Sequence, residues 1–297
     1  YISTSGVSHV YVGGIIGYAV KGIKMINCYN TGAISDGKYY SSNVGGLVGF
    51  VSADVNNEVR LENCYNTGTI SGGESFSGGL VGYAYANGNA EVRLENCYNS
   101  GEISGRGLVG GIVGSFNHKV GCYAKVRLKN CYNSGIISSE YHVGGIVGKV
   151  MVSTADAEVR LENCYNSGEI SGENNAGGLV GCAKASTADT EVNLENCYNS
   201  GEISGENNAG GLVGWVSFTK GAEVRLENCY NTGTISCKYQ VGGIAGAFDY
   251  GEGEMLENCY YLGATQGVGN RADEESGAIN LLKDAQTESV ELRPNDI

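Results

Sequence analysis

The chain has 297 residues, 41% of them hydrophobic, and a formal net charge of −13 from 19 Lys and Arg against 32 Asp and Glu. That balance argues against nucleic acid and anionic membranes as partners, since both bind through excess positive charge. No run supplies the ~18 or more consecutive apolar residues of a membrane helix, and 49 Gly against a single Pro rule out collagen and Pro-rich linkers.

Read in chain order, residues 1–8 look like the tail of a repeat unit, with Ser5-Gly6-Val7-Ser8 echoing S-G-E-I-S further on. The sequence is therefore expected to be a segment of a longer protein, with any targeting signal outside it. Gly-Gly pairs then begin at Gly13, Gly45, Gly78, Gly110, Gly144, Gly177, Gly210 and Gly242, 32 to 34 residues apart. Cysteines recur in the same rhythm at Cys28, Cys64, Cys97, Cys131, Cys164, Cys197, Cys229 and Cys259. A period of this size marks a solenoid whose units bury their apolar faces only against their neighbours.

Glu158 to Gly172 (E-V-R-L-E-N-C-Y-N-S-G-E-I-S-G) typifies the unit, and Gly177-Gly178-Leu179-Val180-Gly181 follows it. Residues 158–162 alternate polar and apolar, the signature of a half-buried strand. Residues 168–172 place one buried Ile170 among polar neighbours, and 177–181 form a short apolar piece bracketed by glycine. No apolar stripe of helical period runs through the repeats. The expected fold is all-β: a single-stranded parallel β-solenoid of about eight coils, three short strands per coil. Right-handedness is expected, as in most parallel crossovers. The solenoid should occupy 1–261, and 262–297 should be a C-terminal cap or linker with a helical run at Gly277 to Thr287, because an open end exposes strand edges.

Within a unit, Val159 and Leu161 should point inward and Arg160 and Glu162 outward. A bend at Asn163, a residue that tolerates left-handed backbone, would return Cys164 to the core and leave Tyr165 facing out. In-register cysteines on stacked coils lie ~4.7–4.9 Å apart with parallel Cβ vectors, which suits a row of free thiols better than disulfides. Cys122, Cys182 and Cys237 fall outside the register.

G-G-L-V-G followed by E-N-C-Y-N-S-G-E-I-S-G resembles the GLUG repeat over residues 13 to about 261. That repeat is found in bacterial surface proteins, including adhesin-like proteins and the non-catalytic regions of immunoglobulin-A-cleaving metallopeptidases. The resemblance implies a secreted or cell-surface bacterial module that acts in adhesion or as a spacer. Its partner would be a host or bacterial surface protein or a glycan.

Catalytic patterns are missing. The three His (His9, His118, His142) are scattered, there is no C-x-x-C, and the H-E-x-x-H of zinc peptidases is absent, so neither metal nor cofactor is expected. The acids Glu62, Glu95, Glu162, Glu195, Glu227 and Glu257 recur evenly instead of gathering in one cleft, which argues against an enzyme. A carbohydrate-active lyase or hydrolase on a β-helix is the alternative.

Three rows could meet a partner. An Arg row (Arg60, Arg93, Arg127, Arg160, Arg225) lies beside the Glu row and should neutralise it through diagonal pairs. The Tyr row, here Tyr65, Tyr98, Tyr165, Tyr198 and Tyr230, would stack ring on ring or offer an aromatic stripe to a sugar or protein. The variable segments after each G-G-x-x-G should be loops, with ligand contacts expected on 115–124 through His118, Lys119 and Tyr123. Both the Leu47 and Val48 rows are apolar, so one should face out and need cover, leaving lateral association open to an otherwise monomeric rod.

Overall fold

The computed structural model describes residues 9–37, 42–118, 123–153, 157–249, 254–262 and 268–271. These form an all-β parallel solenoid with no helix among them. Five sheets run along its length, named A to E in the order the chain visits them; in the second coil their strands are Ser42–Gly45, Val48–Ala53, Glu58–Glu62, Tyr65–Asn66 and Ile70–Ser71. Seven coils carry all five strands, and an eighth shows those of sheets A to D among the described residues. Each complete coil thus contains five strands instead of the expected three, those of sheets D and E only two or three residues long, as are those of sheet A from the third coil on. Of the C-terminal piece, Val268–Arg271 adds one more parallel strand to sheet B beside Ala245–Asp249; the run at 277–287 lies outside the described residues.

Register is strict. Glu91-Val92-Arg93-Leu94-Glu95 pairs position for position with 58–62 and with 125–129. Along sheet C the Val and Leu of each strand are buried, while the Arg and Glu between them are partly exposed. A one-residue slip would turn Val and Leu to solvent, and it is this cost that fixes the register. The strand then breaks at an Asn held in left-handed backbone: φ lies between 50° and 54° at Asn27, Asn63, Asn96, Asn130, Asn163, Asn196, Asn228 and Asn258. That bend turns the following cysteine inward. Cys64, Cys97, Cys131, Cys164, Cys197, Cys229 and Cys259 are buried and unbridged. Each donates its Sγ–H at 3.2–3.4 Å to the carbonyl two residues before it.

Two residues past each repeat cysteine from Cys28 to Cys229 stands an asparagine whose role the sequence did not disclose. Asn66, Asn99, Asn133, Asn166, Asn199 and Asn231 are fully buried. Each amide donates to the carbonyl of the glycine two residues on, and from Asn30 to Asn199 it also donates to the next coil's Asn Oδ1 at 2.7–2.8 Å. A polar ladder in the interior is tolerable because, from Asn66 to Asn199, both amide hydrogens and the Oδ1 are engaged.

The G-G-L-V-G piece is a corner and not a strand. Sheet A ends on the first glycine, the second glycine and the Leu make the bend, and sheet B starts at the Val. A Cβ on Gly45 would collide with the Val48 carbonyl, and one on Gly46 with the Gly79 carbonyl of the next coil. Because the chain turns between them, Leu47 and Val48 both point inward, as do Leu80 and Val81, or Leu179 and Val180. Neither row faces out. The expected apolar stripe, and lateral association through it, have no surface to use. The variable segments after the corner begin as strand and not as loop: their first residues continue sheet B, as in Val113–His118 and Val213–Phe218, and a turn such as 219–222 follows.

Two cores result. The larger lies between sheets B and C with the cysteines at its edge; the smaller packs Ile70, Ile103, Ile137, Ile170 and Ile203 of sheet E against Val44, Val109, Val143, Ala176 and Ala209 of sheet A.

Candidate ligand cleft

The rows singled out in the sequence are largely occupied by the scaffold itself. Tyr29, Tyr65, Tyr98, Tyr132, Tyr165, Tyr198 and Tyr230 form one continuous stack, with centroids 4.8–5.0 Å apart and planes within 5°. Burial pushes the Tyr165, Tyr198 and Tyr230 hydroxyls above their ordinary value, so they stay protonated. Their faces are spent on one another, leaving edges for any partner. On sheet C, Arg60 and Arg93 pair along their own strands with Glu62 and Glu95 at 2.8 and 2.6 Å. Lys129 bonds Glu162 at 2.6 Å, and Arg160 bonds Glu195, both between coils.

Of the expected 115–124 site, the first residues are not displayed. Ser115 and Phe116 are buried in sheet B. His118 is buried too, and its Nε2 accepts the Ser153 amide of the next coil at 3.1 Å. Desolvation lowers its pKa against the opposing pull of a Met151 backbone bond, keeping it neutral. It is a link between coils and not a displayed side chain. Tyr123 is exposed; Lys119 lies outside the described residues.

The departure from the repeat lies elsewhere, between sheets A and B. Sheet A turns one residue per coil towards sheet B: Tyr11, Asn43, Phe76, Leu108, His142, Asn175, Asn208 and Gln240. Sheet B answers with Tyr18, Phe50, Tyr83, Ser115, Lys149, Cys182, Trp215 and Ala247. In the first three coils rings cross the gap, with Tyr11–Tyr18 at 4.9 Å and Phe76–Tyr83 at 4.6 Å. From the fifth coil to the eighth the gap opens into a cleft of about 890 Å³.

Three further features shape this cleft. At the corner between sheets E and A, Tyr141, Asn174, Asn207 and Tyr239 line it one above another, two amides between two exposed rings. Beside them His142, Asn175 and Asn208 form a hydrogen-bonded file. The Asn208 amide donates to Asn175 Oδ1 at 2.6 Å, and the Asn175 amide to His142 Nδ1 at 2.7 Å. Burial, with the nearby Lys149 charge second, lowers the His142 pKa to about 4, as an accepting Nδ1 requires. Opposite stands Trp215, the single tryptophan of the chain. Its in-register neighbours are the small Cys182 and Ala247, which leave the indole room. The indole N–H donates to Asp249 Oδ2 at 2.7 Å, fixing the ring 6.5 Å from His142.

Of the cleft's lining, only His142 was noted from the sequence, and there as a scattered histidine. Two signals were present: the twinned Glu-Asn-Asn-Ala at 173–176 and 206–209, and the lone Trp. An adjoining groove of about 490 Å³ runs along Ser138, Ser171, Ser204, Glu140, Glu173 and Glu206. Among the described residues no group of three His, Cys, Asp or Glu is placed to hold a metal ion.

No curated protein matches the chain. A crystal structure described as a "putative immunoglobulin A1 protease" from Bacteroides ovatus is similar over 84% of this chain and 79% of that one, at 19% identity and a TM-score of 0.45. Residues 40–71 match the family model of the GLUG motif. That span embraces the second coil, Ser42 through Ser71, whose strands pair in register with their counterparts in the coils on either side: the chain carries the GLUG motif, wound as a β-solenoid.

Proposed function

We propose that this chain is a non-catalytic recognition module, a rigid rod acting outside the cell that holds a partner in the cleft of its fifth to eighth coils. One observation carries the reading. Side chains that build the rod repeat from coil to coil, whereas those lining the cleft differ and leave hydrogen-bonding groups directed at open space. Bond cleavage on a sugar ordinarily uses two carboxyl groups flanking the scissile bond, and Asp249 is the one carboxylate among the residues lining the cleft. His142 is held neutral with its Nδ1 engaged by Asn175, so it is poorly placed to take up a proton. Adhesion to a surface polymer, or spacing of a neighbouring domain, both suit a stiff rod of this kind.

The test is incubation with a panel of polysaccharides, followed by assays for new reducing ends and for unsaturated products. No turnover is expected. Turnover abolished by Asp249→Asn would replace this reading with a carbohydrate-active enzyme on the same scaffold.

A further inference from the structure

The hydrogen bonds around the cleft run in one direction. Asn174 donates to the Glu140 carbonyl at 3.0 Å, and Asn207 donates to Asn174 Oδ1 at the same distance. Asn208 donates to Asn175, which donates to His142. Both files spend their N–H groups towards the N-terminal end. Their last members, Asn207 and Asn208, present Oδ1 atoms that accept no bond among the described residues, and the second Asp249 oxygen is equally free. The cleft therefore presents open acceptors at Asn207, Asn208 and Asp249 together with donors, the Nε2–H of neutral His142 and the Gln240 amide.

A site that both accepts and donates fits a ligand rich in hydroxyl groups, which do both. Around these acceptors stand the aromatic faces of Trp215 and the two exposed tyrosines Tyr141 and Tyr239, at 54% and 64% relative exposure. A pyranose satisfies both demands, with hydroxyl donors on its rim and apolar C–H faces that pack on aromatic rings. An anionic polymer is disfavoured by Asp249, by Glu140, Glu173 and Glu206 next to the cleft, and by the formal charge of −13. A peptide joining as an extra strand would need an open sheet edge, and the walls here are sheets already paired coil to coil.

We propose that the cleft binds a neutral glycan, its sugar rings against Trp215, Tyr141 and Tyr239 and its hydroxyls donating to Asn207, Asn208 and Asp249. This rests on the cleft being a recognition site, and it names the class of ligand. The Trp215–Asp249 bond fixes the indole in advance, so little side-chain freedom remains to be lost on binding.

Because Trp215 is the single tryptophan, its fluorescence reports the cleft alone. The probes are soluble oligosaccharides of β-1,4-glucan, β-1,4-xylan, α-mannan and β-galactan, with polygalacturonate as an anionic comparator and oligolysine as a basic peptide. A saturable shift in Trp215 emission is expected with at least one neutral oligosaccharide, together with retardation of the protein in gels containing the parent polymer. Tyr239→Ala removes an exposed ring outside the core and should weaken that binding on the order of tenfold. Tyr165→Ala, on the distant tyrosine stack, should leave it unchanged.

The proposal is overturned if no neutral sugar moves the emission or retards the protein, if polygalacturonate or oligolysine binds in preference, or if Tyr239→Ala binds as tightly as the parent. Loss of binding in folded Tyr165→Ala would place the site on the stack, with the same consequence. Failure here leaves the non-catalytic reading standing, whereas binding accompanied by cleavage would remove that reading and keep the glycan.

Discussion

Replacing Asn166 by Leu is the sharpest perturbation of the scaffold. The side chains are similar in size, but Asn166 takes part in four hydrogen bonds. Its amide donates to Gly168 O and to Asn199 Oδ1, each at 2.8 Å, and its Oδ1 accepts from Gly168 N at 3.3 Å and from Asn133 Nδ2 at 2.8 Å. After substitution Asn133 keeps its bond to Gly135 O and Asn199 keeps the one from Gly201 N. Gly168 loses the partners of both its N–H and its C=O in a fully buried corner. At ~1–3 kcal/mol for each orphaned group, and less for the two that keep a second bond, the loss is about 3–6 kcal/mol. Asn30→Leu is the control: Asn30 is half-buried in the first coil and makes three such bonds, so it should cost about 1–2 kcal/mol. Asn166→Asp should be worse at neutral pH, since a carboxylate cannot donate to Gly168 O or Asn199 Oδ1. Burial would raise its folded pKa above the unfolded ~3.9, so its stability falls as the pH rises and partly returns on acidification. Solenoids unfold regionally, so thermal melts should be paired with hydrogen exchange of the fifth-coil amides. If Asn166→Leu costs under ~1 kcal/mol, or no more than Asn30→Leu, the ladder is not what fastens the coils.

Burial raises the Cys131, Cys164 and Cys197 thiols well above their ordinary value. A maleimide should thus label Cys28 and Cys237, both half-exposed, ahead of the buried row from Cys64 to Cys259, and reach that row only on unfolding; rapid labelling of the buried row in the native protein would contradict the packing. Tyr165→Ala removes two stacking contacts, at 4.8 and 4.9 Å, and should cost about 1–3 kcal/mol, whereas Tyr165→Phe should lie within about 0.5 kcal/mol of the parent; equal losses would assign the stabilisation to the hydroxyl. His142, with its folded pKa lowered from 6.5 to about 4, contributes stability that is complete above pH 6.5 and lost as the pH falls towards 4. His142→Gln should therefore flatten part of the acid limb of Tm against pH, and superimposable profiles would show that His142 is not the group responsible.

The sequence displayed whatever obeys a period. Alternation in E-V-R-L-E located sheet C, Asn163 announced a left-handed bend, and the cysteine spacing anticipated an unbridged buried row. What stayed hidden depends on contacts between coils. Nothing local in the sequence says that the Asn166 amide reaches another coil's asparagine. G-G-L-V-G read as a strand because an apolar tetrad looks the same whether it alternates or turns a corner. Sequence variation after each corner suggested loops, yet there the chain first continues as sheet B, and the row facing sheet A changes from Tyr18 to Ala247 within that strand. The cleft was missed for the same reason. Trp215, Asn175 and His142 are far apart in the chain, and the parallel register alone brings them together.

In a parallel solenoid, the rows free to carry function are those that do not have to match from coil to coil. An amide ladder works when each rung offers the next an identical donor and acceptor, and a ring stack when each face meets an equal face. Substituting one member therefore disturbs two neighbours. The cysteine, asparagine and tyrosine rows are constrained in this way, and they remain uniform from the first coil to the seventh. The rows between sheets A and B obey no such condition, because each member meets a side chain across the gap as well as those above and below. They change at almost every coil, from rings that close the gap to amides, a histidine and an indole that leave it open. One groove thus has two physical characters. Its aromatic end is filled by its own side chains and adds to the stability of the first coils, while its polar end holds acceptors with nothing to accept. A recognition site on this scaffold is best sought where the groove passes from the first character to the second, and that change falls between Leu108 and His142.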